Sequence, residues 1–141
     1  MFPHSPWLLQ TGKFQQTIAN CIEKTGKALH SGNLTAVKIL PEFAGEGRFF
    51  DFDSKFIPAS IDFAQESPLC TKLCKDGYTV QTVEHLLSAL EATGVDNCRI
   101  EITNLGRKDR FAEVMSKLML LIFKVHRISI RIVFPVNCVV L

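Results

Sequence analysis

The hydrophobic period of the chain changes twice, and those changes limit the folds open to it. "LTAVKIL", residues 34–40, alternates: Leu34, Ala36, Lys38 and Leu40 fall on one face, Thr35, Val37 and Ile39 on the other. That is the two-residue period of a strand. From Val83 the apolar residues fall instead at Val83, Leu86, Leu87 and Leu90, the stripe of an amphipathic helix. Thr82 stands where an N-cap belongs and Gly94 where a C′ glycine belongs. Alternation returns at "NCRIEI", residues 97–102. One helix between runs of strand predicts an α+β layer, the helix covering a sheet face.

The remaining segments extend this pattern. "KFQQTIANCIEK" reads as an edge strand, with Gly26 and Gly32 marking turns after it. Pro41 ends the alternating strand, since proline has no N–H to give a ladder. "GEGRFFDFD" is a glycine turn and then an aromatic strand. "IPASIDF" and "SPLCTKLCKDGYTVQT" predict further short strands, with Asp76–Gly77 as a hairpin turn. "DRFAEVMSKLMLLIF" is compatible with a helix carrying Phe111, Val114, Leu118 and Leu121 on one stripe, and "ISIRIVF" with a strand.

With 141 residues, 47% hydrophobic and 21% charged, the chain has enough apolar material for one core. Its net charge of +2 gives no general attraction to nucleic acid or an anionic membrane. The charge is uneven, however. Residues 1–106 hold nine Lys or Arg against twelve Asp or Glu, whereas residues 107–141 hold seven against two. The shift near residue 106 separates two segments of different character, the second a basic tail. In the tail, Lys124, His126, Arg127 and Arg131 interrupt the apolar run, so no transmembrane span is expected. "MFPHSPWLLQTGKF" lacks the basic start of a secretory signal and the Arg and Ser density of a transit peptide.

Five cysteines, an odd number, argue against a disulfide framework. Cys70 and Cys74 are spaced C-x3-C, but no second pair follows at zinc-finger spacing. They read as two half-buried strand residues.

The chemistry concentrates at "TVEHLLSAL". Glu84 and His85 open the helix, about 100° apart around its axis, so both flank one site without stacking. A helix N-terminus favours an ionised Glu84 and a neutral His85. A neutral imidazole is a metal ligand, and a carboxylate beside a metal-held water is a general base. The same pair also suits ordinary helix capping, and the helix alone offers one ligand.

Several segments, in order, resemble the zinc-dependent UDP-3-O-acyl-N-acetylglucosamine deacetylases of lipid A synthesis, the LpxC family. They are "QQTIANCIEKTGKALHSG" with its G-x-x-L-H-S-G pattern, "SPLCTKL", and "VQTVEHLLSALEATGVDNCRIEI" with its E-H-L and D-N elements. The resemblance runs from about Lys13 to about Thr103, which implies an extension at 1–12, a family-like body at 13–103 and an unmatched tail at 104–141. "RFFDF" and "FAQESPLC" are similar to plant-type members, which implies a mitochondrial location. The implied fold is the first of two sheet-plus-helices half-domains (ribosomal-S5-domain-2-like), with an unmatched C-terminal tail. The implied chemistry is Zn2+-dependent hydrolysis of the 2-acetamido group of a UDP-linked acylated glucosamine. His85 matches a zinc ligand and Glu84 the general base. His30 matches a histidine near the site, and Leu69 and Cys70 match a strand bordering the acyl chain.

After "EITN" the resemblance stops. The family's D-G-S motif, its other zinc ligands in H-K-x-x-D, its general-acid His and its oxyanion-stabilising Thr have no match. His4, His30, His85 and His126 all lack an Asp four residues on. The sequence therefore predicts a truncated chain with one of three zinc ligands, little or no turnover, and association through an exposed inner face. The alternative functions are a non-catalytic binding or regulatory half-domain and, third, a small nucleic-acid binder. Against the last, the tail's basic residues are not interleaved with aromatics.

Overall fold

The computed structural model describes residues 14–28, 30–106, 109–115 and 118, and the backbone of residues 130–133. In chain order the strands are β1 (Gln15–Ile18), β2 (Ile22–Lys27), β3 (Leu34–Pro41), β4 (Arg48–Phe52), β5 (Lys55–Pro58), β6 (Ala64–Gln65), β7 (Lys72–Lys75) and β8 (Tyr78–Gln81). Helix α1 (Glu84–Ala92) follows, then β9 (Cys98–Asn104), β10 (Phe111–Glu113) and β11 (Ile130–Val133). A 3-10 turn covers Ile61–Phe63.

Among the described residues these strands form a five-stranded sheet in the order β2-β3-β9-β4-β5, a four-stranded sheet β10-β8-β7-β6, and a β1-β11 pair. The mixed α+β architecture expected from the period changes is present. β3 alternates as expected, and it is the Thr35, Val37 and Ile39 face that turns to the interior. β9 runs antiparallel to β3 with Ile100 opposite Ile39, and parallel to β4 with Ile100 opposite Phe50. One core joins Val37, Ile39, Phe50, Ile57 and Ile100 of the larger sheet with Leu73 and Val80 of the smaller one and Leu86, Ala89 and Leu90 of α1.

The turns follow from local chemistry. Asp76–Gly77 (φ 52° and 82°) and Asp53–Ser54 (φ 56° and 64°) both have two consecutive positive φ values, the geometry that matches strand twist in a two-residue hairpin. Gly94 (φ 78°) ends α1 as predicted. Its N–H donates to Glu91 O, and the Val95 N–H donates to Leu90 O, the paired bonds of a Schellman motif.

Five expectations need correction. "IPASIDF" is not a strand: it holds only the last two residues of β5, and the rest is a bend and the 3-10 turn. The proposed single edge strand breaks at Ala19–Asn20 into β1 and β2. Gly26 lies inside β2, not in a turn; a Cβ there would sit 3.0 Å from Met115 Sδ, so close packing explains the glycine. "SPLC" is a bend, leaving Leu69 and Cys70 just before β7 and outside any strand. Phe111–Glu113 is a strand and not a helix: it pairs in parallel with β8, and Thr79 N–H donates to Arg110 O while Val114 N–H donates to Gln81 O. Three residues are too few for periodicity to distinguish the two states. The strand expected at "ISIRIVF" is present as β11, antiparallel to β1. Residues 116–117 and 119–123 of the proposed tail helix, with Leu121, lie outside the described residues, as does the extension at 1–12. No described helix is long and apolar enough to cross a membrane.

Candidate active site

β8 delivers the chain to α1 through a strained residue. Thr82 is buried and has φ 59°, a left-handed conformation disfavoured for β-branched residues. It is therefore not the N-cap. That position falls to Val83, which makes no side-chain capping bond. The Thr82 N–H donates to Thr71 O (2.9 Å), and the Thr71 N–H donates to Glu84 Oε2 (3.2 Å). Thr71 thus holds both the entry to the helix and the carboxylate at its first residue.

Glu84 is half-buried and His85 exposed. The His85 imidazole has no hydrogen bond to a described residue. Ala89, one turn on, is buried and small. The helix dipole places partial positive charge at this end, next to Glu84.

Cys70 lies on the other side of Thr71. Its Sγ is 3.8 Å from Ser67 Oγ and donates to Gln81 Oε1 at 3.9 Å. Cys70 and Thr71 line an open cavity with Gln65, Glu66, Ser67 and Pro68. Leu69 is 76% exposed. Glu84, Cys70 and the cavity therefore share Thr71 as a neighbour. His30 is exposed in the turn after β2, and its N–H donates to Glu113 Oε2 at 2.9 Å.

Glu113 is a residue that sequence analysis missed. It is 2% exposed. Besides His30, it accepts from Ser31 N–H at 2.8 Å and Thr82 Oγ1 at 3.4 Å. Burial works to raise its pKa, but hydrogen bonds from the His30 and Ser31 backbone and the Ser31 and Gln81 side chains outweigh it and hold the carboxyl below its usual range. The signal available in the sequence was a lone acid inside the apolar run "FAEVM".

A catalytic zinc takes three protein ligands. His85 is a suitable imidazole and Glu84 a suitable neighbouring base, but no group of three or more His, Cys, Asp or Glu side chains among the described residues has metal-site geometry. These residues fit one ligand position and do not make a complete site.

The family model for LpxC, UDP-3-O-acyl N-acetylglycosamine deacetylase, matches residues 15–106. The chain belongs to this family. It is 62% identical over 104 residues to probable UDP-3-O-acyl-N-acetylglucosamine deacetylase 1, mitochondrial, of Arabidopsis thaliana, covering 74% of this chain and 32% of that protein. The UDP-3-O-acyl-N-acetylglucosamine deacetylase of Trichormus variabilis is 51% identical over 92 residues, 62% of this chain and 33% of the relative. That of Xylella fastidiosa is 42% identical over 94 residues, 64% and 31%. The chain spans about a third of the length of the curated relatives it matches. The deacetylase-family match includes His30, Leu69, Cys70, Glu84 and His85 and ends before Glu113.

Proposed function

We propose that this chain carries the base-and-ligand part of a UDP-3-O-acyl-N-acetylglucosamine deacetylase, in which Glu84 is the general base and His85 a zinc ligand. The observation that supports it most is the pairing of a half-buried Glu84, oriented by Thr71, with an exposed imidazole free of hydrogen bonds to the described residues. Zinc, when bound, supplies Lewis-acid polarisation of the scissile amide carbonyl. Glu84 takes the proton of the attacking water on a carboxylate oxygen, the Thr71 N–H holding that carboxylate by its Oε2. Cys70, Leu69 and His30 border the acylated substrate. The names of the plant relatives support a mitochondrial location and the family name supports membership of lipid A synthesis.

Turnover needs ligands beyond His85, because a catalytic zinc takes three protein ligands. The 141 residues alone therefore bind zinc weakly and turn over little or no substrate. Calorimetric titration of the full chain with zinc tests this: binding is weak, and His85→Ala removes it. Tight stoichiometric zinc that survives His85→Ala contradicts the assignment.

A further inference from the structure

Glu113 lies outside the segment that matches the deacetylase family, yet it is the most densely hydrogen-bonded carboxylate near the candidate site. Its two oxygens divide their partners in an informative way. Oε1 accepts from Ser31 N–H, while Oε2 accepts from both His30 N–H and Thr82 Oγ1. One oxygen therefore touches the turn that carries His30 and the strained residue two positions before Glu84. β10 keeps this arrangement in place by its parallel pairing with β8, Glu113 standing opposite Gln81.

The successive His30 and Ser31 N–H groups form a small concavity of backbone donors, a geometry suited to an anion. Here the anion is a protein side chain. A buried carboxylate without such donors would be strongly unfavourable. With them it becomes a directional clamp, because charge-assisted hydrogen bonds are the shorter and stronger kind.

We propose that Glu113 is a positioning residue: it clamps the His30–Ser31 turn to the segment that enters α1, and so sets where His30 stands relative to Glu84 and His85. Its functional weight rests on the reading of Glu84 and His85 as base and ligand. The clamp itself is a separate structural statement, tested by a separate readout.

The experiment is amide hydrogen exchange with 1H–15N spectra on the full chain, comparing wild type with Glu113→Gln and Glu113→Asp. Global unfolding is read from the amides of Ile39 and Ile100 in the paired strands β3 and β9. In wild type the His30 and Ser31 amides are protected and shifted downfield by the carboxylate. Glu113→Gln accelerates their exchange at least about tenfold beyond any change at Ile39 and Ile100, as loss of charge-assisted bonds predicts. It also moves the His30 and His85 imidazole signals. Glu113→Asp, which keeps the charge, recovers part of the protection. Loss of protection at His30 and Ser31 only in step with Ile39 and Ile100 would reduce Glu113 to a general stabiliser and overturn the proposal. Unprotected His30 and Ser31 amides in wild type would overturn it without any variant needing to fold. Protected amides together with absent zinc binding at His85 would overturn the site assignment and leave the clamp standing.

Discussion

Asn97 should be worth several times more to stability than its neighbour Asp96, although both belong to the same G-V-D-N element. Asn97 is 1% exposed. Its Oδ1 accepts from Gly47 N–H at 2.9 Å, and its Nδ2 donates to Gln15 Oε1 at 3.1 Å. Its main-chain carbonyl accepts from Thr17 Oγ1 at 2.6 Å, a bond that survives side-chain truncation. Asn97→Ala therefore leaves the Gly47 N–H without an acceptor, at about 1–3 kcal/mol, and removes a neutral hydrogen bond worth about 0.5–1.5 kcal/mol. Gln15 Oε1 keeps the Gly45 N–H at 2.7 Å, so no second group is orphaned. The sum is about 1.5–4.5 kcal/mol. Asp96 is exposed and accepts one bond, from Gln16 N–H at 2.8 Å, so Asp96→Ala should cost about 0.5–1.5 kcal/mol. Urea unfolding followed by circular dichroism is the assay. With a slope of about 2 kcal/mol/M, the Asn97→Ala midpoint falls by about 1–2 M. Equal losses for the two variants, or a smaller loss for Asn97→Ala, would refute the view that this motif residue is a staple between β1, the Gly47 turn and β9.

Two other outcomes follow from buried groups. Burial pushes the Cys98 thiol up to about 12, the field of Arg48 opposing and that of Glu42 reinforcing the rise. Cys98 is 0% exposed whereas Cys21 is exposed, so alkylation of the native chain, read by peptide mass, should label Cys21 early and Cys98 only on unfolding. Glu113 has a folded-state pKa below its unfolded value. Its contribution is therefore complete above the unfolded carboxylate pKa and is lost as pH falls through the lower folded one. Urea midpoints at neutral and acid pH should show wild type losing this increment on acidification, and Glu113→Gln, already without it, losing less.

Much of the scaffold was legible because it depends on local chemistry. The alternation of "LTAVKIL" identified β3 as a strand and divided its two faces, Asp76–Gly77 identified a hairpin, and Gly94 identified the end of α1. What was hidden depends on contacts distant in sequence. Gly26 resembles a turn glycine until Met115 is seen against it. Thr82 has the composition of an N-cap, but it leaves β8 at positive φ with its N–H on Thr71 O and its hydroxyl on Glu113, 31 residues away. β10 exists because β8 offers a ladder, and its three residues carry no periodicity of their own. At the site, Glu84 and His85 stood out in the sequence. Thr71, which binds the Glu84 carboxylate, and Glu113, which binds the His30–Ser31 turn and Thr82, did not, since neither role has a local signature.

The roles of Glu84 and His85 are tested most directly in a chimera that joins residues 1–106 of this chain to the remaining part of the Arabidopsis thaliana relative. Release of acetate from a UDP-linked 3-O-acyl-N-acetylglucosamine is the readout. The chimera should turn over; Glu84→Gln should lower kcat about 10²–10⁴-fold, the range for loss of a general base, and His85→Ala should lose both zinc and turnover. An active chimera whose Glu84→Gln form keeps full kcat, or whose His85→Ala form keeps its zinc, would contradict the assignment.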